Sequence, residues 1–327
     1  MAHSRDTMRR PVQRATGPWE AQVREYLAYR RSLGFGLRTS GDELVLFARH
    51  LDSTCHVGPL TSEVALRWAR LAPCARPEYG AWRLYAVRGF VKHLAATDPR
   101  HEVPPVRALG RTYCRAQPHI YSSQEVTALL DAAMTVKPVE ALPPHTYRAL
   151  FGLLAATGLR CGEALGLQRD HVDLGLGHLT IVRGKPGRAR VVPLHPTVTR
   201  ELAAYADLRD RSFPRGRKSD AFFLSRRATA LRYASVNITF RQLRRQLGWC
   251  KRRQLPRVHD MRHTFAVRTL VRWCDAGEDV DKKILALTIY LGHANLTSTY
   301  WYFSAVPELM AITGRHFEAF ARRDGAR

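Results

Sequence analysis

The chain has 327 residues, more than a single hydrophobic core comfortably organises, so two domains are expected. Its 52 Lys and Arg against 28 Asp and Glu leave a formal charge of +24, an excess that concentrates polyanions and makes nucleic-acid binding strong and salt-dependent. The basic residues are mostly Arg and run through an apolar-patterned chain, which argues against the Lys-rich tails of ribosomal or membrane-surface proteins. The six cysteines (Cys55, Cys74, Cys114, Cys161, Cys250, Cys274) have no zinc-type spacing. No apolar segment follows the basic N-terminus, and the longest apolar run, near Ala149 to Leu159, is too short for a bilayer. Free thiols in a reducing cytoplasm are the expectation.

Residues 1–16 read as a disordered basic arm. The first helix carries Trp19, Val23, Tyr26 and Leu27 on one face and stops at Leu33-Gly34-Phe35-Gly36, where glycine supplies a left-handed cap. A second follows Ser40 with Leu44, Phe47 and Leu51. A third opens at Thr61-Ser62-Glu63 and carries Val64, Leu66, Trp68 and Leu71. A fourth runs from about Pro77 to Ala96, with Leu84, Val87, Phe90, Val91 and Leu94 at helical spacing. Residues 17–98 are thus expected to form a small all-helical domain. Its basic residues Arg24, Arg30, Arg31, Arg38, Arg83, Arg88 and Lys92 are expected to face outward, as a solvated face or as phosphate contacts. Residues 99–118, rich in Pro, Gly and Arg, read as a mobile or extended linker.

A second domain, 119–305, opens on Ser122-Ser123-Gln124-Glu125, a capping box ahead of Val126, Leu129 and Leu130. A helix from about Thr146 to Ala156 is closed by Gly158, and another starts at Cys161. From His178 the period changes. Leu179, Ile181 and Val182, then Val191 and Val192, flank Arg183-Gly184-Lys185-Pro186-Gly187-Arg188, which has hairpin turn chemistry. Helical patterns resume at Val198–Leu208, Ser235–Leu247, His259–Asp275, Asp281–Leu291 and from Leu296. An amphipathic tail, 306–327, carries Leu309, Met310, Ile312, Phe317 and Phe320. The fold class expected is mainly α with a small β-hairpin or sheet.

Several residues have the chemistry for a phosphodiester. Arg160 sits at a Gly-punctuated junction, where a guanidinium fork matches two phosphate oxygens; a surface Arg or a pair with Glu163 is the alternative. Lys185 stands where a hairpin loop can place an ammonium against a leaving oxygen, or is simply solvated. His259, Arg262 and His263 share one helix face. His145 and Arg148 repeat the His-x-x-Arg spacing, so that pattern carries nothing alone, and a His on an apolar helix is usually a satisfied core residue. His293 follows a helix end at Gly292. Tyr300 and Tyr302 lie beyond it, either as core aromatics or as phenols that nearby cations activate toward attack.

Taken in order, TGLRCGEALGL, GKPGRARVVPLH, HDMRHTFA and LGHANLTSTYWYF resemble the tyrosine recombinases, the phage-integrase type of site-specific recombinase, over about Ser122 to Phe303. The resemblance implies an N-terminal helical core-binding domain and a C-terminal α+β catalytic domain of the DNA breaking-rejoining type, closing as a clamp on double-stranded DNA. It implies that Arg160 and Arg262 hold the scissile phosphate with His259 beside them, and that Lys185 protonates the leaving 5′ oxygen. His293 is then a phosphate ligand that assists proton transfer. Tyr302, nine residues past His293, is the nucleophile that forms a 3′-phosphotyrosyl link, with Tyr300 the near miss. It further implies no cofactor, no metal, and a homo-tetramer on two DNA sites in which the tail packs on a neighbouring subunit, with partner recombinases in some systems, at the cytoplasmic nucleoid.

Two departures stand out: Pro186 where the hairpin turn usually has glycine, and a long Arg262–His293 gap holding the acidic stretch Asp275 to Asp281. These, with the Tyr-Trp-Tyr-Phe ending, look like recombinases of transposons or other mobile elements. An inactive DNA-binding accessory factor is disfavoured by the complete Arg-Lys-His-Arg-His-Tyr set. A type IB topoisomerase is disfavoured by the short chain and the spelling of the motifs.

Overall fold

The computed structural model describes residues 16–72, 77–112, 117–138, 141–182, 189–213, 219–251, 255–293, 295–305 and 310. The chain divides into two compact units, 1–116 and 117–327. Among the described residues, no helix is long and apolar enough to cross a membrane. Residues 1–15 of the basic arm 1–16, and all of the tail 306–327 except Met310, lie outside the described residues.

The first unit holds four helices, α1 (Pro18–Ser32), α2 (Arg38–Ser53), α3 (Ser62–Arg70) and α4 (Pro77–Leu94). Val23, Phe47, Leu51, Trp68, Val87 and Phe90 fill its core. The start of α1 has no cap of its own. Asp52 of α2 supplies one, accepting from the backbone N–H groups of Trp19 (3.0 Å) and Glu20 (3.1 Å), which satisfies donors that a helix end leaves open. Glycine is required just before, because a Cβ on Gly17 would lie 2.2 Å from the Asp52 carboxyl carbon. Gly34 adopts the left-handed φ of +86° expected after α1, and Thr61 caps α3 through its bond from the Val64 N–H.

Three sequence expectations change here. Arg83 does not face outward. It is 5 % exposed, its Nε donates to Glu43 Oε2 at 3.1 Å, and its guanidinium stacks 3.7 Å over the Trp68 ring. A basic residue on the buried side of α4 is tolerated because both its charge and its plane find partners. Leu71 ends α3 in the open, 59 % exposed, and Ala65, Trp68 and Ala69 form the buried face. Residues 101–109 do not leave the unit as a free linker: His101 Nδ1 accepts from the Leu60 N–H at 2.9 Å, Glu102 accepts from the Ser62 N–H, and Val103 and Leu109 pack on the core.

The second unit is built around α6 (Leu142–Thr157), flanked by α5 (Ser123–Ala133), α8 (Pro196–Ser212) and α10 (Asp260–Asp275). Ser122 and Glu125 form the expected capping box on α5. After the short α7 (Cys161–Leu165) comes an antiparallel sheet of β1 (Val172–Asp173), β2 (His178–Val182) and β3 (Ala189–Pro193). Leu179 stands opposite Val192 and Ile181 opposite Arg190. Strand β1 is too short to leave an alternating pattern and was not visible in the sequence. α9 (Tyr233–Gln246) completes the main core. A satellite core of Ala266, Leu270, Leu287, Leu291 and Tyr302 joins α10 to α11 (Val280–Leu291) and α12 (Thr297–Ala305).

Replacing Arg83 by Ala leaves Glu43 buried without its cation and should cost the first unit about 3 kcal/mol. Urea denaturation measures that loss. DNA affinity under folding conditions should be nearly unchanged, as expected for a residue that does not reach phosphate.

Candidate active site

The site is assembled at the C-terminal end of α11. The last turn of any helix leaves carbonyl oxygens without intrahelical partners and carries partial negative charge. Here the carbonyls of three successive residues receive three guanidinium groups. Arg190 Nε donates to Tyr290 O (2.9 Å), Arg262 Nη2 to Leu291 O (2.7 Å), and Arg160 Nη2 to Gly292 O (3.1 Å). Gly292 ends the helix with φ +66°, and His293 follows directly.

Each arginine arrives on a different element. Arg160 is the residue before α7, delivered by Gly158, whose φ of +62° closes α6. Gly158 is doubly constrained, since a Cβ there would also lie 2.7 Å from the Phe265 ring. Its carbonyl accepts from Arg262 Nη1 at 2.9 Å. Arg262, on α10, is 2 % exposed. Burial, then repulsion from Arg160, pulls its guanidinium down to about 10, which still leaves it charged at neutral pH. Arg190 comes from β3.

Glu163 offsets this positive charge. Its Oε1 accepts from Arg160 Nη1 (2.9 Å) and Arg190 Nη1 (3.1 Å), and its Oε2 from Arg190 Nη2 (2.8 Å) and the Arg160 N–H (3.1 Å). Burial alone would raise this carboxyl; hydrogen bonds from Arg190 and the Arg160 N–H override it and hold the group at about 2.

His259 occupies the N-cap position of α10 without a side-chain capping bond and stacks edge-on against His263, with ring centroids 4.9 Å apart. Partial desolvation, followed by repulsion from Arg262, lowers its pKa below the ordinary 6.5. His293 Nδ1 lies 2.7 Å from Thr299 Oγ1, which lies 2.9 Å from Thr288 Oγ1. Thr288 donates to Ile284 O at 2.8 Å. Each hydroxyl has one proton. Thr288 spends its own on Ile284, so Thr299 donates to Thr288, and His293 must donate from Nδ1–H. The neutral ring therefore keeps Nε2 as its acceptor.

The two tyrosines separate sharply. Tyr302 is 1 % exposed and its Oη lies 2.9 Å from His263 Nδ1. Tyr300 is 44 % exposed, its hydroxyl 3.4 Å from Asp281. The structure thus brings Arg160, His259, Arg262, His293 and Tyr302 to the ends of α6, α10, α11 and α12. Lys185 lies outside the described residues; strands β2 and β3 on either side of it are in place. His145 and Arg148 fall elsewhere, with Arg148 paired to Asp131. Sequence reasoning missed Arg190 and Thr299 as parts of the site, and placed His263 on the helix face of His259 and Arg262 without giving it a role. Arg190 opposite Ile181 is a charge on a strand otherwise spelled by Val, which was the available signal.

A profile of the Phage integrase family matches residues 120–308. The chain is also 39% identical over 304 residues to the protein named integrase/recombinase y4rB of Sinorhizobium fredii, covering 90% of this chain and 96% of that one. The chain belongs to the phage integrase family, the tyrosine recombinases. Among solved structures, this integrase-family chain has the fold of the Tn1549 transposon integrase in complex with transposon right end DNA (TM-score 0.67, 16% identity, 93% of this chain and 99% of that one). It is likewise similar to a lambda integrase in a tetramer bound to a Holliday junction (TM-score 0.58, 15% identity, 85% and 77%).

Two outcomes are expected from this geometry. Glu163 has a folded pKa below its ordinary 4.5, so its contribution is complete above about pH 4.5 and is lost as pH falls toward 2. Glu163→Gln should therefore be less stable than the parent at pH 7, by on the order of 3 kcal/mol, with the gap closing in acid unfolding curves. Thr299→Val should cost about 1 kcal/mol and release His293 Nδ1, which nitrogen-15 imidazole shifts will register as loss of the Nδ1–H tautomer.

Proposed function

We propose that this chain is a site-specific DNA recombinase in which Tyr302 attacks the scissile phosphate and becomes 3′-phosphotyrosyl, leaving a 5′ hydroxyl. The observation that carries this reading is the gathering of Arg160, Arg262 and His293 around one helix end, with Tyr302 packed into the same corner through His263. Attack makes a pentavalent phosphorus whose equatorial oxygens gain charge. Fixed cations there stabilise the transition state more than the ground state. Both guanidiniums are held by carbonyls that do not move with the substrate, so their orientation is settled before DNA arrives.

In this reading Arg160 and Arg262 turn their remaining N–H groups to the phosphate, with His259 beside them. His293, anchored through Nδ1–H, presents Nε2, which donates to a phosphate oxygen when protonated and takes up a proton when neutral. Lys185, which lies between β2 and β3 in the sequence, protonates the departing 5′ oxygen. Arg190 fastens the hairpin that carries it by bonding both Glu163 and Tyr290. The ester keeps the energy of the broken bond, so the reverse attack by a 5′ hydroxyl rejoins the strand without a nucleotide.

The DNA partner is double-stranded. The working assembly is a tetramer on two sites, supported by the lambda integrase tetramer on a Holliday junction, with the tail 306–327 as the subunit contact. The first helical unit would serve as the core-binding domain, through exposed residues such as Arg31, Arg38 and Lys92. The mobile-element assignment rests on the transposon integrase likeness and the acidic stretch before α11. The chain would act at the nucleoid.

With a nicked suicide substrate, the parent should form a covalent protein–DNA adduct, Tyr302→Phe should form none, and Tyr300→Phe should retain it. Adduct surviving in Tyr302→Phe and lost in Tyr300→Phe would reassign the nucleophile. Arg160→Ala should slow cleavage about 10²- to 10³-fold while DNA binding by gel shift changes only a few-fold; equal losses would make Arg160 an anchor.

A further inference from the structure

A phenol is a weak nucleophile until its proton leaves, and the ordinary values of ~10 for Tyr and ~6.5 for His leave it protonated at neutral pH. Tyr302 is 1 % exposed, so at neutral pH, where hydroxide is scarce, its proton passes most readily to a group already in contact. His263 Nδ1 is such a group, 2.9 Å from Oη and itself buried. Its ring is held on one side by His259 (centroids 4.9 Å apart) and on the other by Trp301 (5.8 Å) and the Tyr302 ring (5.6 Å). Nδ1 is thus held toward the phenol, and in the tautomer protonated at Nε2 it carries the lone pair that proton transfer in a transition state needs.

Resting on the reading of Tyr302 as nucleophile, we propose that His263 is a catalytic base that accepts the Tyr302 phenolic proton at Nδ1 during cleavage and returns it during rejoining. The step balances. The O–H bond of Tyr302 breaks and its proton moves to His263, leaving an imidazolium. The phenolate oxygen forms the new P–O bond, the P–O5′ bond breaks, and O5′ takes a proton from the acid on the other side of the phosphate. In the reverse step, His263 gives its proton back to the departing tyrosine oxygen. The charged and titratable groups that act on His259 and Arg262, the neighbours of the pair on α10, are Arg160, Glu163, Arg190, Arg257, Asp260 and Tyr302 itself. The nearby arginines favour the phenolate over the neutral phenol.

The sequence shows this residue on the helix face of His259 and Arg262 but not its role. His263 follows the Arg of the His-x-x-Arg pattern, on the buried side of an apolar helix, where a histidine usually does no more than fill the core. Only the packing of α12 against α10 brings it to the phenol.

The test uses the full-length protein, single-turnover cleavage of the nicked suicide substrate from pH 6 to 10, and His263→Asn, whose amide occupies the Nδ1 position but accepts no proton. At pH 7 the variant should cleave about 10²-fold more slowly with unchanged DNA binding and a cooperative melt. The deficit should shrink toward pH 10, where the phenol ionises unaided. A 5′-bridging phosphorothiolate, whose thiolate leaves without an acid, should rescue Lys185→Ala and not His263→Asn. A deficit constant across pH, parental rates at pH 7, or rescue of His263→Asn by the phosphorothiolate would each overturn the proposal. His263→Gln is run beside it, so that misfolding of one variant does not remove the readout. The Tyr302→Phe control separates the two levels: adduct formed by that variant sinks the nucleophile assignment itself, whereas its absence together with parental His263→Asn sinks only the base.

Discussion

The arrangement of the second unit depends on three guanidinium groups meeting the exposed carbonyls of one helix end. Tyr290, Leu291 and Gly292 each receive a bond from a different arginine. The arginines come from β3, α10 and the start of α7. A helix C-terminus is a rare place where several cations converge without a bound anion, because its carbonyls and partial negative charge partly compensate them. Glu163 supplies the rest by bridging Arg160 and Arg190. A single helix end thus fixes the spacing of elements far apart in sequence, and it is followed at once by His293.

Hydrogen-bond directions complete the site. The chain from Ile284 through Thr288 and Thr299 determines which nitrogen of His293 carries its proton, by counting hydroxyl protons alone. The His263–Tyr302 contact places the phenol beside an imidazole nitrogen. Imidazole and phenol chemistry is thus set by neighbours that are unremarkable as letters: two threonines inside α11 and α12, and a histidine on a core face. Buried polar networks of this kind act together, since removing one member leaves its partner unsatisfied.

Net charge says less about individual residues than about the chain. With an excess of +24, any Arg invites a reading as a DNA contact. Arg83 is enclosed between Glu43 and Trp68, and Arg24 and Arg49 both bind Glu20. Arg209, at 0 % exposure, donates to the Phe222 carbonyl. A strongly basic protein still uses guanidinium groups as structural donors, because one planar fork satisfies several acceptors at once.

Local signals were legible wherever they act within one turn of chain. The capping box of α5, the Thr61 cap of α3 and the αL glycines Gly34 and Gly158 stand where the sequence placed them, as do the hairpin strands and the apolar stripes of α1, α2 and α4. Four ordered motifs were enough to indicate the family and to prefer Tyr302 over Tyr300. The rest required tertiary structure, because it depends on pairs far apart in sequence. Arg83 turned inward because Glu43 lay 40 positions away. Residues 101–109 were tied down by Leu60 and Ser62. His263 acquired a partner 39 positions on. Composition and spacing determined the chain's excess of positive charge and which residue types it offers to a phosphate. Which arginines face that site, which nitrogen of His293 holds the proton, and what Tyr302 touches were decided only when α7, α10, β3 and α12 closed on the end of α11, since hydrogen bonds depend on distance in space and not on separation along the chain.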